Sequence, residues 1–216
     1  MGPIERYESQ RDRWPPSGRH ILAQHDATRV VVYQAFSPSI ARAAVAQGRF
    51  GEGFSLTRMS WIKPNFLWMM FRSGWATKAS QEAVLAVSLA REGFDAILAA
   101  AVHAAHVPEV YGDRDAWQRA VQGSDVRLQW DPDHAPGGTP LLRRALQLGL
   151  REAALRRYVN EWTLGIEDVT DFVRAQHRHA LTGDLDALVT PREEVYPVGD
   201  PVVAARLGVD PWPSAR

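Results

Sequence analysis

The octapeptide RVVVYQAF, residues 29–36, constrains the fold more than any other stretch. Three successive β-branched valines lose rotamer freedom in a helix and pack well on a pleated surface, so the segment reads as a buried strand. Ser37 is placed to cap a following helix and Pro38 suits its first position. That helix, PSIARAAVAQG, sets Ile40 and Ala44 on one face and stops at Gly48. The run QEAVLAVSLAR, 81–91, alternates as a central strand, and Gly93 then turns the chain into a helix, FDAILAAAVHAAH. A short helix, DRDAWQRAV, precedes a strand at 124–132, SDVRLQWDP, and the loop DPDHAPGGTP. REAALRRYVNEWTLGIED carries Leu155, Tyr158, Val159 and Trp162 at helical spacing, and 171–181 reads as one more helix. Together these elements predict an α+β domain with a mixed sheet over residues 29–190. An extended arm at 1–28 and a Pro-rich strap at 191–216 flank it.

Composition narrows the chemistry. The chain has no cysteine, which removes thiol nucleophiles, disulfides and Cys-ligated metal sites. His103 and His106, and His177 and His179, have no carboxylate spaced to complete a metal site, so no metal is expected. Net charge is zero, which argues against a broad polyanion-binding surface while leaving room for a local basic patch. No apolar run reaches the roughly 20 residues of a membrane span, and the charged N-terminus is unlike a secretory leader. A cytoplasmic protein with no membrane partner is the expectation. The Arg- and Ala-rich composition matches a GC-rich bacterial genome. A lone GxG at Gly51 and Gly53 lacks the third glycine of a dinucleotide fingerprint.

The block 50–78, FGEGFSLTRMSWIKPNFLWMMFRSGWATK, is where a ligand site is expected. It holds Trp61, Trp68 and Trp75 and both lysines of the chain, Lys63 and Lys78, whereas the other cations are 23 arginines. Residues 54–62 read as an irregular strand, and Pro64 opens an all-apolar helix, NFLWMMFR, that must be buried. A helix start offers unpaired N–H groups and a partial positive charge; with Lys63 beside it and Arg58 upstream, it suits a phosphate. Ser55 adds a hydroxyl donor. Trp61 offers a ring face or fills core, and Trp75, after Ser73-Gly74, forms a pocket wall or fills core. Arg29, Tyr33 and Gln34 sit at the ends of the first strand, where a polar group lines a cleft or meets solvent. Arg127, Gln129 and Asp131 share one face of their strand, opposite Leu128 and Trp130. Gln147 is the lone polar residue of ALQLGL. Two ligand classes follow: a phosphate-bearing small molecule such as a nucleotide, or a nucleic acid.

The runs YQAF, GRFGEGFSLTRMSWIKPNFLWMMFRSGWATK, QEAVLAVSLAREGF, VRLQWDPD, ALQLGL and YVNEWTLGIEDVT resemble a family known as domain of unknown function 4291. Its bacterial and fungal members have a similar RMxWIKPxFLWMMxRSGWAxK block and a similar QWDP. The resemblance spans roughly residues 20 to 200. A looser likeness is to ADP-ribosyltransferases. It implies NAD held by Arg29 and Ser55, with Trp61 or Tyr33 stacked on nicotinamide. Gln129 or Asp131 would then steady the ribosyl cation, Asp131 standing in for the usual glutamate. Under that likeness the chain is a transferase acting on an acceptor, nucleic acid among the candidates.

Overall fold

The computed structural model describes residues 2–213. The chain is an α+β protein built on two main sheets, with two further two-stranded pairings, Ile4–Arg6 with Val189–Pro191 and Leu22–Ala23 with Glu194–Val195. The first sheet is antiparallel and three-stranded, in the order Thr163–Asp168, Ala83–Ala90, Arg29–Phe36. Its centre is the Ala83–Ala90 strand. The second is mixed: a long hairpin of Val126–His134 and Pro140–Leu150 is extended by Ala101–His103 on one side. Gly18–Arg19 and Ser60–Ile62 pair along the other.

The valine run forms the strand expected of it, and its composition follows from apolar cover on both faces. Val30 and Val32 enter one apolar cluster with Leu85, Val87 and Leu89, while Val31 and Tyr33 enter a second with Val84 and Ala86. The Phe66–Ser73 helix, apolar all round, supplies Phe66, Leu67, Met69 and Met70 to that second cluster. The hairpin sheet is different. Ile62, Val126, Leu128, Leu146, Leu148 and Leu150 all join the first cluster, so only one of its faces is apolar. By the two-residue period, Lys63, Arg127, Gln129, Asp131 and Gln147 lie on the other face.

The two sheets meet where the valine strand touches the segment after Ser60–Ile62. Tyr33 N–H donates to Lys63 O at 2.7 Å and Lys63 N–H donates to Tyr33 O at 3.2 Å. Lys63 is therefore locked into the seam by both backbone groups.

Several elements depart from the sequence reading. The irregular strand expected over 54–62 is reduced to Ser60–Ile62, with an exposed connection before it. The helix expected to run through His103 and His106 stops at Ala100, because Ala101–His103 pairs in parallel with Val126–Leu128. Edge pairing there overrides the helical preference of an alanine run. The helical spacing of 151–168 also ends early. A π-turn at Tyr158–Trp162 closes on Thr163, whose hydroxyl donates to Tyr158 O at 2.7 Å, and Thr163–Asp168 becomes an edge strand. Ser37 caps its helix by position without a side-chain bond. Neither terminal segment is a plain extended strap. The first contributes Tyr7, Trp14, Ile21 and Leu22 to buried clusters, and the last folds a helix at Pro201–Leu207.

Candidate functional site

The polar face of the hairpin sheet gathers four of the residues singled out from sequence. Gln129 pairs with Gln147 across the hairpin, and Lys63 continues the register that places Ile62 opposite Leu148. The Gln147 amide donates to Gln129 Oε1 at 2.7 Å and to Asp131 Oδ2 at 2.6 Å. Asp131 and Gln129 are half-buried, while Gln147 and Lys63 are buried. The cluster therefore has a closed floor and a rim that meets solvent. Gln129 keeps its amide N–H groups without a partner among the described residues.

Lys63 is only 6% exposed, and no described residue hydrogen-bonds its ammonium. Burial pulls its pKa down to about 8, the Arg72 charge pulls the same way, and the Asp131 carboxylate opposes them. Two cations and one carboxylate therefore lie within electrostatic reach of one another. Arg72 is exposed and lies over the Trp68 ring at 6.0 Å. Lys78 contrasts with Lys63: it is exposed and donates to Arg72 O at 2.7 Å.

Trp61 stands opposite Gly149. A Cβ at Gly149 would lie 3.0 Å from the Trp61 ring atoms Cε2 and Cζ2 and 2.6 Å from Met59 Sδ. The indole therefore lies close against the bare backbone, half-exposed and beside Lys63. Arg127 shares this face but is committed elsewhere, donating to Ser124 O at 2.9 Å and Val126 O at 3.1 Å, and also to Val121 O.

Other sequence-picked residues go to different places. Gln34 is a satisfied buried amide that donates to Ser60 Oγ at 2.8 Å and accepts from Tyr158 OH at 2.6 Å. It braces the Lys63 segment from the core side. The Tyr33 ring packs edge-on against Phe66, 5.4 Å away, and its buried hydroxyl has no partner among the described residues. Trp75 is core, stacked on His177 at 5.4 Å. Arg29 pairs with Asp26 at 2.9 Å beside a separate hollow of about 320 Å³. Ser55 and Arg58 are exposed on the connection before Ser60, where the Ser55 hydroxyl meets Thr57 at 3.2 Å. No hydrogen bond or ion pair among the described residues joins Arg29, Ser55 or Arg58 to Lys63.

The helix start is also already taken. Asn65 caps it, its side chain accepting from Trp68 N–H at 2.6 Å. The carboxyl of Glu193 accepts from Phe66 N–H at 2.6 Å and from the Asn65 amide at 3.3 Å. A carboxyl group does sit where the sequence expects an anion, but it belongs to the chain. Glu193 gives no local sequence signal, because it arrives from 127 residues away. Burial pushes its carboxyl well above the usual carboxylate range, against the opposing Phe66 bond.

A larger hollow of about 890 Å³ lies between Trp14 and the segment ending at Pro213. It shares no residue with the Lys63 cluster. Much of its wall is the chain's own tail, Val209 to Pro213, so it is a seam where that tail closes on the body. Among the described residues no group of three His, Asp or Glu side chains is placed to hold a metal, and no helix is long and apolar enough to cross a membrane.

A comparison with curated proteins finds no match. The family model for a domain of unknown function, DUF4291, matches residues 20–196, which include every residue of the Lys63 cluster. The chain belongs to the DUF4291 family.

Proposed function

We propose that this protein binds a ligand with an anionic group and a flat ring, of the nucleotide or nucleotide-cofactor class, on the polar face of its hairpin sheet. The observation that carries this reading is Lys63, a buried residue whose ammonium has no hydrogen-bond acceptor among the described residues. Such a group is costly to bury unless a counter-charge meets it. Asp131 offsets only part of the positive charge that Lys63 and Arg72 bring, so an external anion fits. Trp61 supplies a ring face next to Lys63, and Gln129 and Gln147 supply amide groups that can read a ring edge.

ADP-ribosyl transfer from NAD is the enzymatic form of the same reading. Gln129 and Asp131, joined through Gln147, would flank the ribosyl carbon. Arg29 and Ser55, the NAD-holding pair of that scheme, lie outside the cluster, so ligand binding without transfer ranks first.

Calorimetric titration at pH 7 with ADP, NAD and a short oligonucleotide tests this. Binding of at least one is expected, weakened at least tenfold by Lys63→Met and unchanged by Arg58→Ala. Affinity should fall above pH 8, as Lys63 loses its proton. Nicotinamide release from NAD would mark transfer. No binding at millimolar ligand, or equal binding by Lys63→Met, would overturn the reading.

A further inference from the structure

We propose that Lys63 is an amine nucleophile that captures a carbonyl carbon as an imine, its substrate being an aldehyde or ketone that also carries an anionic group. The inference rests on the ligand site described above and names the chemistry that site would perform.

A lysine attacks carbon only through its free lone pair, so a nucleophilic lysine must be partly unprotonated and not tied up as a donor. Lys63 meets both conditions. Its nitrogen makes no hydrogen bond to a described residue, and with its pKa near 8 about a tenth of it is free amine at pH 7. Its backbone is held on both sides by Tyr33, and Gln34 fixes the preceding residues through Ser60 Oγ and Trp61 O. The amine therefore projects from a rigid base, as a positioned nucleophile requires. An arginine could not serve, because its guanidinium stays charged. That gives a chemical reason for a lysine here when the other buried Lys or Arg side chains among the described residues, Arg127 and Arg143, are arginines.

The neighbours complete the scheme. Arg72, exposed and within electrostatic reach of Lys63, would hold the anionic group of the substrate. The Trp61 ring would cover one side. Asp131, half-exposed and steadied by Gln147, would carry protons between the nitrogen, the departing oxygen and solvent. Free amine adds to the carbonyl carbon, forming a C–N bond and a carbinolamine. Two protons from nitrogen leave with the oxygen as water, and a C=N bond replaces the C=O. No electrons are exchanged with an outside reagent.

The sequence makes the test clean, because Lys63 and Lys78 are the only lysines and the chain's N-terminal amine is the one other primary amine. Pyridoxal 5′-phosphate is a suitable probe, with an aldehyde, a ring and a phosphate. The full-length protein would be incubated with it at pH 7.5, reduced with borohydride and mapped by peptide mass. Lys63 should be labelled at least tenfold faster than Lys78 or the N-terminus. Equal or faster labelling of Lys78 or the N-terminus, or no label on Lys63, would overturn the proposal. Lys63→Arg keeps the charge but has no free amine, so it should lose trapping. If wild type binds nucleotide but Lys63 is not trapped, the ligand site stands and the amine chemistry falls. If Lys63 is trapped and no nucleotide binds, the amine chemistry stands on a smaller substrate.

Discussion

Gly149 shows how a single residue sets the shape of the site. The Trp61 ring and Met59 Sδ occupy the space a side chain would need. Gly149→Ala should push both aside, weaken ligand binding several-fold and cost about 1–3 kcal/mol of stability through overpacking; calorimetry and thermal melting would check the two effects. Unaltered binding with a lowered melting temperature would mean that Trp61 is not a ligand wall. At this scale the sequence was partly legible. The two-residue period put Gln129 and Asp131 on one face, and the chain's sparing use of lysine pointed to Lys63. It could not show that Gln147 faces Gln129 or that Gly149 faces Trp61, because that depends on the register of a hairpin and its neighbouring strand. Arg29 lies four residues along its strand from Tyr33, where the seam with Lys63 is, and it pairs with Asp26 three residues away.

Among the elements, the Phe66–Ser73 helix was readable from its uniform apolarity, Pro64 and Gly74. Its N-terminal partner was not. Glu193 fills the role there that a bound anion was expected to fill, and it ties the helix to the N-terminal segment. Glu193 N–H donates to Gln10 Oε1 at 2.8 Å, and Trp14 Nε1–H donates to Glu193 O at 2.8 Å. With its folded pKa raised well above its ordinary value by burial, Glu193 binds protons more tightly folded than unfolded. Its contribution is fully present below about pH 4.5 and is lost as pH rises toward its folded value. Glu193→Gln keeps an acceptor for Phe66 N–H and removes that ionisation. Urea denaturation from pH 4 to 8 should therefore show a shallower decline for the variant; an identical slope would place the ionisation elsewhere. The strands at Ala101–His103 and Thr163–Asp168 were read as helix for a common reason. Each is short, and long-range pairing outweighs its local preference.

Across the whole molecule, the terminal segments are parts of the body, and two sheets share one seam at Tyr33 and Lys63. That seam is where stability and function conflict. Lys63 titrates near 8 in the fold against 10.5 when unperturbed, so the folded state disfavours its charge. The difference corresponds to at most about 3 kcal/mol at neutral pH. The unfolded chain holds the proton more tightly, so this cost shrinks as pH rises from about 8 to 10.5. A lysine kept there for structure alone would be improved by an apolar side chain of similar length. The most direct measurement is thermal denaturation of ligand-free wild type and Lys63→Met at pH 7 and pH 10. The variant should melt several degrees higher at pH 7, and the gap should narrow at pH 10. A variant that melts lower at pH 7, or a gap that does not change with pH, would contradict that expectation.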